Sequence, residues 1–126
     1  MAKTNYECGI GPAIDAIGGK WKVAILWKLS SAALRFSELK RAVPGVTEKM
    51  LTQQLRELER DGLITRTAFH EVPPRVEYAL TAWGISLNVA LAPIADWGEG
   101  YARATGRYPS NDAASQPEPP EDQLIG

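Results

Sequence analysis

Cysteine and histidine are almost missing from this 126-residue sequence, Cys8 and His70 being the single example of each. One thiol closes no internal disulfide, and one thiol with one imidazole leaves a zinc site short of ligands. His70 has no serine or acid at a suggestive spacing, and no glycine-rich loop is built to cradle phosphate. The sequence therefore predicts neither an enzyme nor a resident metal or cofactor. It also lacks a run of about 18 apolar residues that would cross a membrane. The opening MAKTNYECG has no basic-then-apolar layout of a secretory signal, so a cytoplasmic protein without a membrane partner is the expectation. No internal repeat with a period of about 20–50 residues is present.

Basic excess is missing as well. The net charge is −1, a balance that ordinarily argues against a polyanionic partner. The average hides a segregation, however. Lys20 to Arg75 carry eleven Lys and Arg against six Asp and Glu, leaving +5. From Arg107 onward one basic residue faces Asp112, Glu118, Glu121 and Asp122, leaving −3. That tail, GRYPSNDAASQPEPPEDQLIG, is rich in Pro, Ser and acids and poor in large apolar groups, so it cannot offset its ordering entropy. The expected organisation is one folded domain over residues 1–105, for which a 44% hydrophobic content suffices, and a disordered tail over 106–126.

Along the folded part, GPAIDAIGGKWKVAILWKLSS predicts a short helix from Pro12 to Ile17, a break at Gly18-Gly19, and a largely apolar helix from about Lys20 to Leu29. Within the second, Val23, Leu26 and Trp27 sit at helical spacing, and Ile25 with Leu29 widens the stripe. The extended trio Leu34-Arg35-Phe36 leads to Ser37 as an N-cap and a short helix to about Val43, stopped by Pro44-Gly45. Thr47 then caps a further helix, with Val46 stapling onto Leu51 and Glu48 suiting the positive helix end. Gly62 ends it. From there the period changes from 3.6 to 2. Val76, Tyr78 and Leu80 alternate in RVEYALT, LITRTAFH is the partner strand, and HEVPPR makes a projecting tip because two prolines bring no amide hydrogens. A long helix after Thr81 spaces Trp83, Leu87, Ala90, Ile94, Trp97 and Tyr101 by fours and threes, a seam for another helix, with Pro93 and Gly98 implying a kink or break.

The helix in TEKMLTQQLRELERDGLI carries two stripes. Leu51, Leu55 and Leu58 form a core face, while Lys49, Thr52, Gln53 and Arg56 share the opposite side, with Arg60 one turn on. A solvated helix face has the same composition. The order of elements decides between the readings: short helix, sharp turn, second helix with an outward polar patch, then a hairpin. This is the order of a winged helix-turn-helix, whose second helix enters the major groove, where Lys and Arg pair with guanine edges and Gln with adenine.

IGGKWKVAILWKL, LRFSELKRAVPGVTEKMLTQQLRELERDGLI, VPPRVEYALTAWG and DWGE, in that order over about residues 8–103, resemble the HxlR-type winged-helix transcriptional regulators of bacteria and archaea. The resemblance implies an α+β, mostly helical fold, with a two-stranded wing over Ile64–Thr81 and terminal dimerisation helices. It further implies a homodimer that binds double-stranded DNA at a near-palindromic operator. The recognition helix is then Thr47–Arg60. Lys49, Thr52, Gln53 and Arg56 match its groove-facing positions. Thr47 lies where hydroxyl and free amides meet phosphate, or serves as a plain N-cap. Arg75 beside Pro73-Pro74 is a candidate for minor-groove or phosphate contact, the alternative being a strand-end charge. Lys20 and Lys22 either touch phosphate or are simply solvated.

Trp83, Leu87, Ile94, Trp97 and Tyr101 are the expected dimer seam, and all four tryptophans are assigned to packing. Some members of the family carry a cysteine just before the first helix and sense quinones, electrophiles or oxidants with it. Cys8 precedes Pro12 in that manner, and the helix dipole would favour its thiolate; the alternative is an incidental thiol. A rival class is a winged-helix protein-interaction module without DNA binding, which would more often carry an acidic or apolar outward patch. A small-molecule effector bound under the terminal helices near Trp83 and Trp97 would complement the DNA-binding reading.

Overall fold

The computed structural model describes residues 8–108, so the tail prediction for 109–126 lies outside the described residues. The elements run α1 (Ile10–Ile17), α2 (Lys22–Lys28), β1 (Leu34–Arg35), α3 (Phe36–Ala42), α4 (Glu48–Arg60), β2 (Ile64–Phe69), β3 (Arg75–Leu80) and α5 (Ala82–Thr105). Two compact units are distinguished, one up to Asn88 and one from Val89 on. The first is a winged helix-turn-helix in which mostly helical elements surround a small antiparallel sheet.

The core of this unit follows from three helix faces. On α4, Leu51, Leu55 and Leu58 fall within a sector of about 60° at 100° per residue, and all three are buried. On α2 the inward face is Ile25, Leu26 and Leu29, whereas Val23 and Trp27 remain partly exposed at 37% and 42%. The broad apolar stripe of α2 is therefore covered only on one side within the described chain. Leu39 and Val43 of the α3 segment, Val46, Leu63, Ile64 and Tyr78 complete the cluster.

Local signals set the element ends. Thr47 caps α4, its hydroxyl accepting from the Met50 amide at 3.1 Å. At the other end Gly62 takes φ +75°, which a side chain disfavours. It lets the Gly62 and Leu63 amides return to the Glu59 and Leu58 carbonyls, both at 3.0 Å, satisfying two orphan acceptors. The α3 helix starts two residues earlier than Ser37 as N-cap would have it. Arg35 is its N-cap residue and Glu38 reaches back to the Arg35 amide at 2.8 Å, a contact that lowers the Glu38 carboxyl pKa.

The wing is the β2–β3 hairpin in the expected alternation, with register Ile64 opposite Leu80 and Phe69 opposite Arg75. Of the expected extended trio, Leu34 and Arg35 form a third strand while Phe36 already begins α3, and β1 pairs with β3 through Leu34 opposite Tyr78 and Arg35 opposite Glu77. The sheet order is β1-β3-β2, leaving β2 at the outer edge.

At the base of the wing, Thr81 ties four segment ends together. Its amide donates to the Leu63 carbonyl at 3.1 Å, its hydroxyl donates to Gly62 at 2.6 Å and accepts from the Gly84 amide at 3.1 Å. Further along, the Asn88 amide donates to the Leu26 carbonyl at 2.8 Å. That carbonyl ends α2 unserved because the Ser30 amide bonds to Trp27 instead.

In the second unit the helix continues through Pro93 and Gly98 to Thr105, so of the expected kink or break the break does not occur. Trp97 stacks on Tyr101 with ring centroids 4.9 Å apart, and Arg107 donates to the Tyr101 hydroxyl at 3.1 Å.

Candidate nucleic-acid interface

Because α4 commits its leucine face to the core, the opposite face is the one it presents outward. Glu48, Lys49, Thr52, Gln53, Arg56 and Glu57 line an open concavity of about 600 Å³, walled at one side by Phe36 at the start of α3. Lys49, Gln53 and Arg56 are exposed and Thr52 half-buried, so the four expected groove-facing residues are brought together. Thr47 stands at the helix start with its hydroxyl accepting from Met50, which leaves its own proton to donate. The plain capping role is therefore filled, and it is compatible with an anion at the same place.

The remaining basic candidates are placed less simply. Lys20 is exposed, its ammonium 4.9 Å from the centre of the Trp21 ring. Lys22 is neither solvated nor directed at phosphate. It shares the inward face of α2 with Ile25, Leu26 and Leu29, its stem is buried with them, and its ammonium pairs with Glu57 at 2.6 Å. The sequence shows the helical spacing that puts Lys22 on that face but not the carboxylate waiting across from it. Arg75 lies over the Phe69 ring at 4.2 Å, between Glu71 at 3.2 Å and Glu77 at 3.3 Å. Two carboxylates thus already engage the guanidinium that was a candidate for minor-groove or phosphate contact.

Two residues of this surface escaped sequence reasoning. Arg66, in the middle of β2, is exposed on the wing. Glu57 is an acid that lines the concavity beside Gln53 and Arg56. Its signal was the i,i+4 spacing from Gln53, and the Gln53 amide does donate to it at 3.2 Å. The Lys22 ammonium hydrogen-bonded to Glu57, with the Gln53 amide behind it, holds the Glu57 carboxyl below the usual range.

Of the expected seam, Trp83 is 75% exposed in the first unit, and Ile94 and Trp97 are 56% and 67% exposed in the second, with Tyr101 also outward. Leu87 departs from the expectation. It packs against the core of the first unit, because the face of α5 that carries it also carries the buried Asn88. Cys8 is an exposed free thiol two residues before α1. No helix among the described residues is long and apolar enough to cross a membrane.

Residues 16–105 match the HxlR-like helix-turn-helix family. The HTH-type transcriptional regulator YtcD of Bacillus subtilis is 48% identical over 101 residues, covering 80% of each chain. An HTH-type regulator of Methanothermobacter thermautotrophicus is 44% identical over 117 residues, covering 93% of this chain and 86% of the relative. Among solved structures, the reduced form of the redox regulator HypR superposes with a TM-score of 0.74 at 40% identity, covering 80% of this chain and all of HypR. A helix-turn-helix with its second helix open to solvent, followed by a wing, and kinship over most of the length together place this chain in the HxlR-like helix-turn-helix family of transcriptional regulators.

Proposed function

We propose that the protein acts as a homodimer on a near-palindromic DNA operator, with α4 in the major groove and the β2–β3 hairpin beside it. One observation carries the reading. Lys49, Thr52, Gln53 and Arg56 are gathered on a face of α4 that the domain leaves open, opposite leucines that fix the helix in place. An interaction module would present an acidic or apolar surface there, and this one presents long donors suited to base edges and phosphates. Exposed Lys20 and Arg66 add basic side chains to the same unit.

Counterion release supplies the test. Affinity for an operator duplex should fall steeply with salt, with a log–log slope of about −0.9 per phosphate contacted, and Arg66→Ala should make that slope shallower by about one contact. A binding constant that stays flat between about 50 and 200 mM salt would speak against DNA as the partner.

Redox control through Cys8 is the second element of the reading. The thiol is exposed next to the first helix, and the HypR structures that resemble this chain are those of a redox regulator in reduced and oxidised forms. With a single cysteine, oxidation would join two subunits or cap Cys8 with a small thiol. Cys8→Ser should abolish any change in DNA binding caused by oxidants or quinones while preserving the affinity of the reduced protein. Equal responses of the two proteins would make the thiol incidental.

A further inference from the structure

An acid on a surface meant for phosphate is a cost unless it has a task, and the task of Glu57 is visible in its partners. Lys22, buried on α2, holds Oε1 of Glu57 at 2.6 Å, and Oε2 accepts from Nε2 of Gln53 at 3.2 Å. The three side chains form a chain of hydrogen bonds from the interior to the open face of α4. An ionised carboxylate only accepts, so the amide beside it must turn its nitrogen inward and leave its oxygen outward. The amide nitrogen has two hydrogens. One serves Glu57, and the other remains beside the oxygen. Adenine presents in the major groove an amino donor next to a ring-nitrogen acceptor, which match an amide oxygen and a neighbouring N–H.

We propose that the Lys22–Glu57 pair is a positioning device that fixes the orientation of the Gln53 amide, so that a preference for adenine at one base pair of each half-site depends on two residues that touch no base. This rests on the proposed role of α4 as the recognition helix. The ion pair also neutralises an acid that would otherwise face phosphate. An exposed glutamine without such a partner would turn freely and read donors and acceptors with little distinction.

The test selects binding sites from a randomised duplex library with the full-length protein and its variants. Gln53→Ala marks the column that the amide reads. Glu57→Gln should act on that same column in a particular direction. Lys22 still donates to the new amide oxygen, the new amide nitrogen faces Gln53, and Gln53 must turn its oxygen inward to accept. Its two N–H groups then point outward, so adenine should lose about tenfold in preference, the order expected for one bidentate contact, and guanine or thymine should gain. Lys22→Met should flatten the column, and Lys22→Arg, which keeps a donor on Glu57, should restore it.

A shift confined to the Gln53 column supports the relay, since loss of folding would weaken all columns together. Glu57→Gln leaves the buried Lys22 ammonium with an acceptor but no counter-charge, so if that variant does not fold, Lys22→Met decides, because it removes the buried cation and leaves a carboxylate that is 27% exposed. Should Gln53→Ala flatten a column that Glu57→Gln and Lys22→Met leave intact, the relay is overturned while α4 remains the reading helix. If Gln53→Ala alters no column, the relay falls because Gln53 is not a reader. Failure of the unaltered protein to select any sequence would instead remove the DNA-binding proposal itself.

Discussion

Gly84→Ala is expected to destabilise the first unit by about 2–4 kcal/mol, the sum of an overpacked contact and a lost helix cap. At Gly84 the start of α5 crosses so close to the turn after α4 that a Cβ would run into the Leu63 carbonyl oxygen and press on Leu80. That carbonyl is the acceptor for the Thr81 amide, and the Gly84 amide itself donates to the Thr81 hydroxyl. Making room for one methyl group therefore separates the joint that holds the end of α4, both wing strands and the start of α5. In a domain of this size the melting temperature should drop by about 10 °C or more. Gly98→Ala is the control, because nothing lies within 4 Å of its Cβ position, and alanine is the better helix former by up to about 1 kcal/mol. The two substitutions should have opposite signs in thermal unfolding followed by circular dichroism. A Gly84→Ala protein that melts with the parent would show that the crossing is looser than described.

The joint at Gly84 illustrates what the sequence leaves unsaid. The stripe of α4 was legible because Leu51, Leu55 and Leu58 repeat at helical spacing between a threonine cap and a glycine stop, each a local signal. The wing was legible for the same reason, through alternation in RVEYALT and the prolines of its tip. Nothing local distinguishes Gly84 from Gly98, since both sit in helical sequence and only the neighbour across the fold differs. Lys22 and Leu87 were misplaced for a related cause. Spacing shows which residues share a face, and the identity of what that face meets, Glu57 in one case and the core in the other, is a tertiary fact. The two-residue strand β1 is too short to alternate, so its pairing with β3 is visible only once β3 is in position. Of the candidate interface, the gathering of Lys49, Thr52, Gln53 and Arg56 on one face of α4 was legible from helical spacing, whereas the engagement of Arg75 by Glu71 and Glu77 depends on how the hairpin turns.

Trp97→Asp is expected to lower affinity for every operator together, by about a hundredfold or more, because binding through two linked modules exceeds binding through one by that order. Along the second unit, Ala90, Ile94, Trp97 and Tyr101 fall within about 60° of one another at 100° per residue, and the indole of Trp97 is 67% exposed while stacked on Tyr101. An exposed stripe of that kind calls for a covering surface. A second copy of the chain would supply the identical stripe, and binding two half-sites would require its α4 to reach the next major groove, about 34 Å away. A carboxylate at position 97 would have to be desolvated in that seam without a partner, so dimers should dissociate into folded monomers. Sedimentation should then report the monomer at concentrations where the parent is dimeric. Binding to an isolated half-site should stay near the parent value, since α4 and its concavity lie in the other unit. The half-site result separates the two roles. Loss of half-site binding would mean that the substitution harms the fold, and a variant that remains dimeric with normal operator affinity would place the dimer interface elsewhere on the chain.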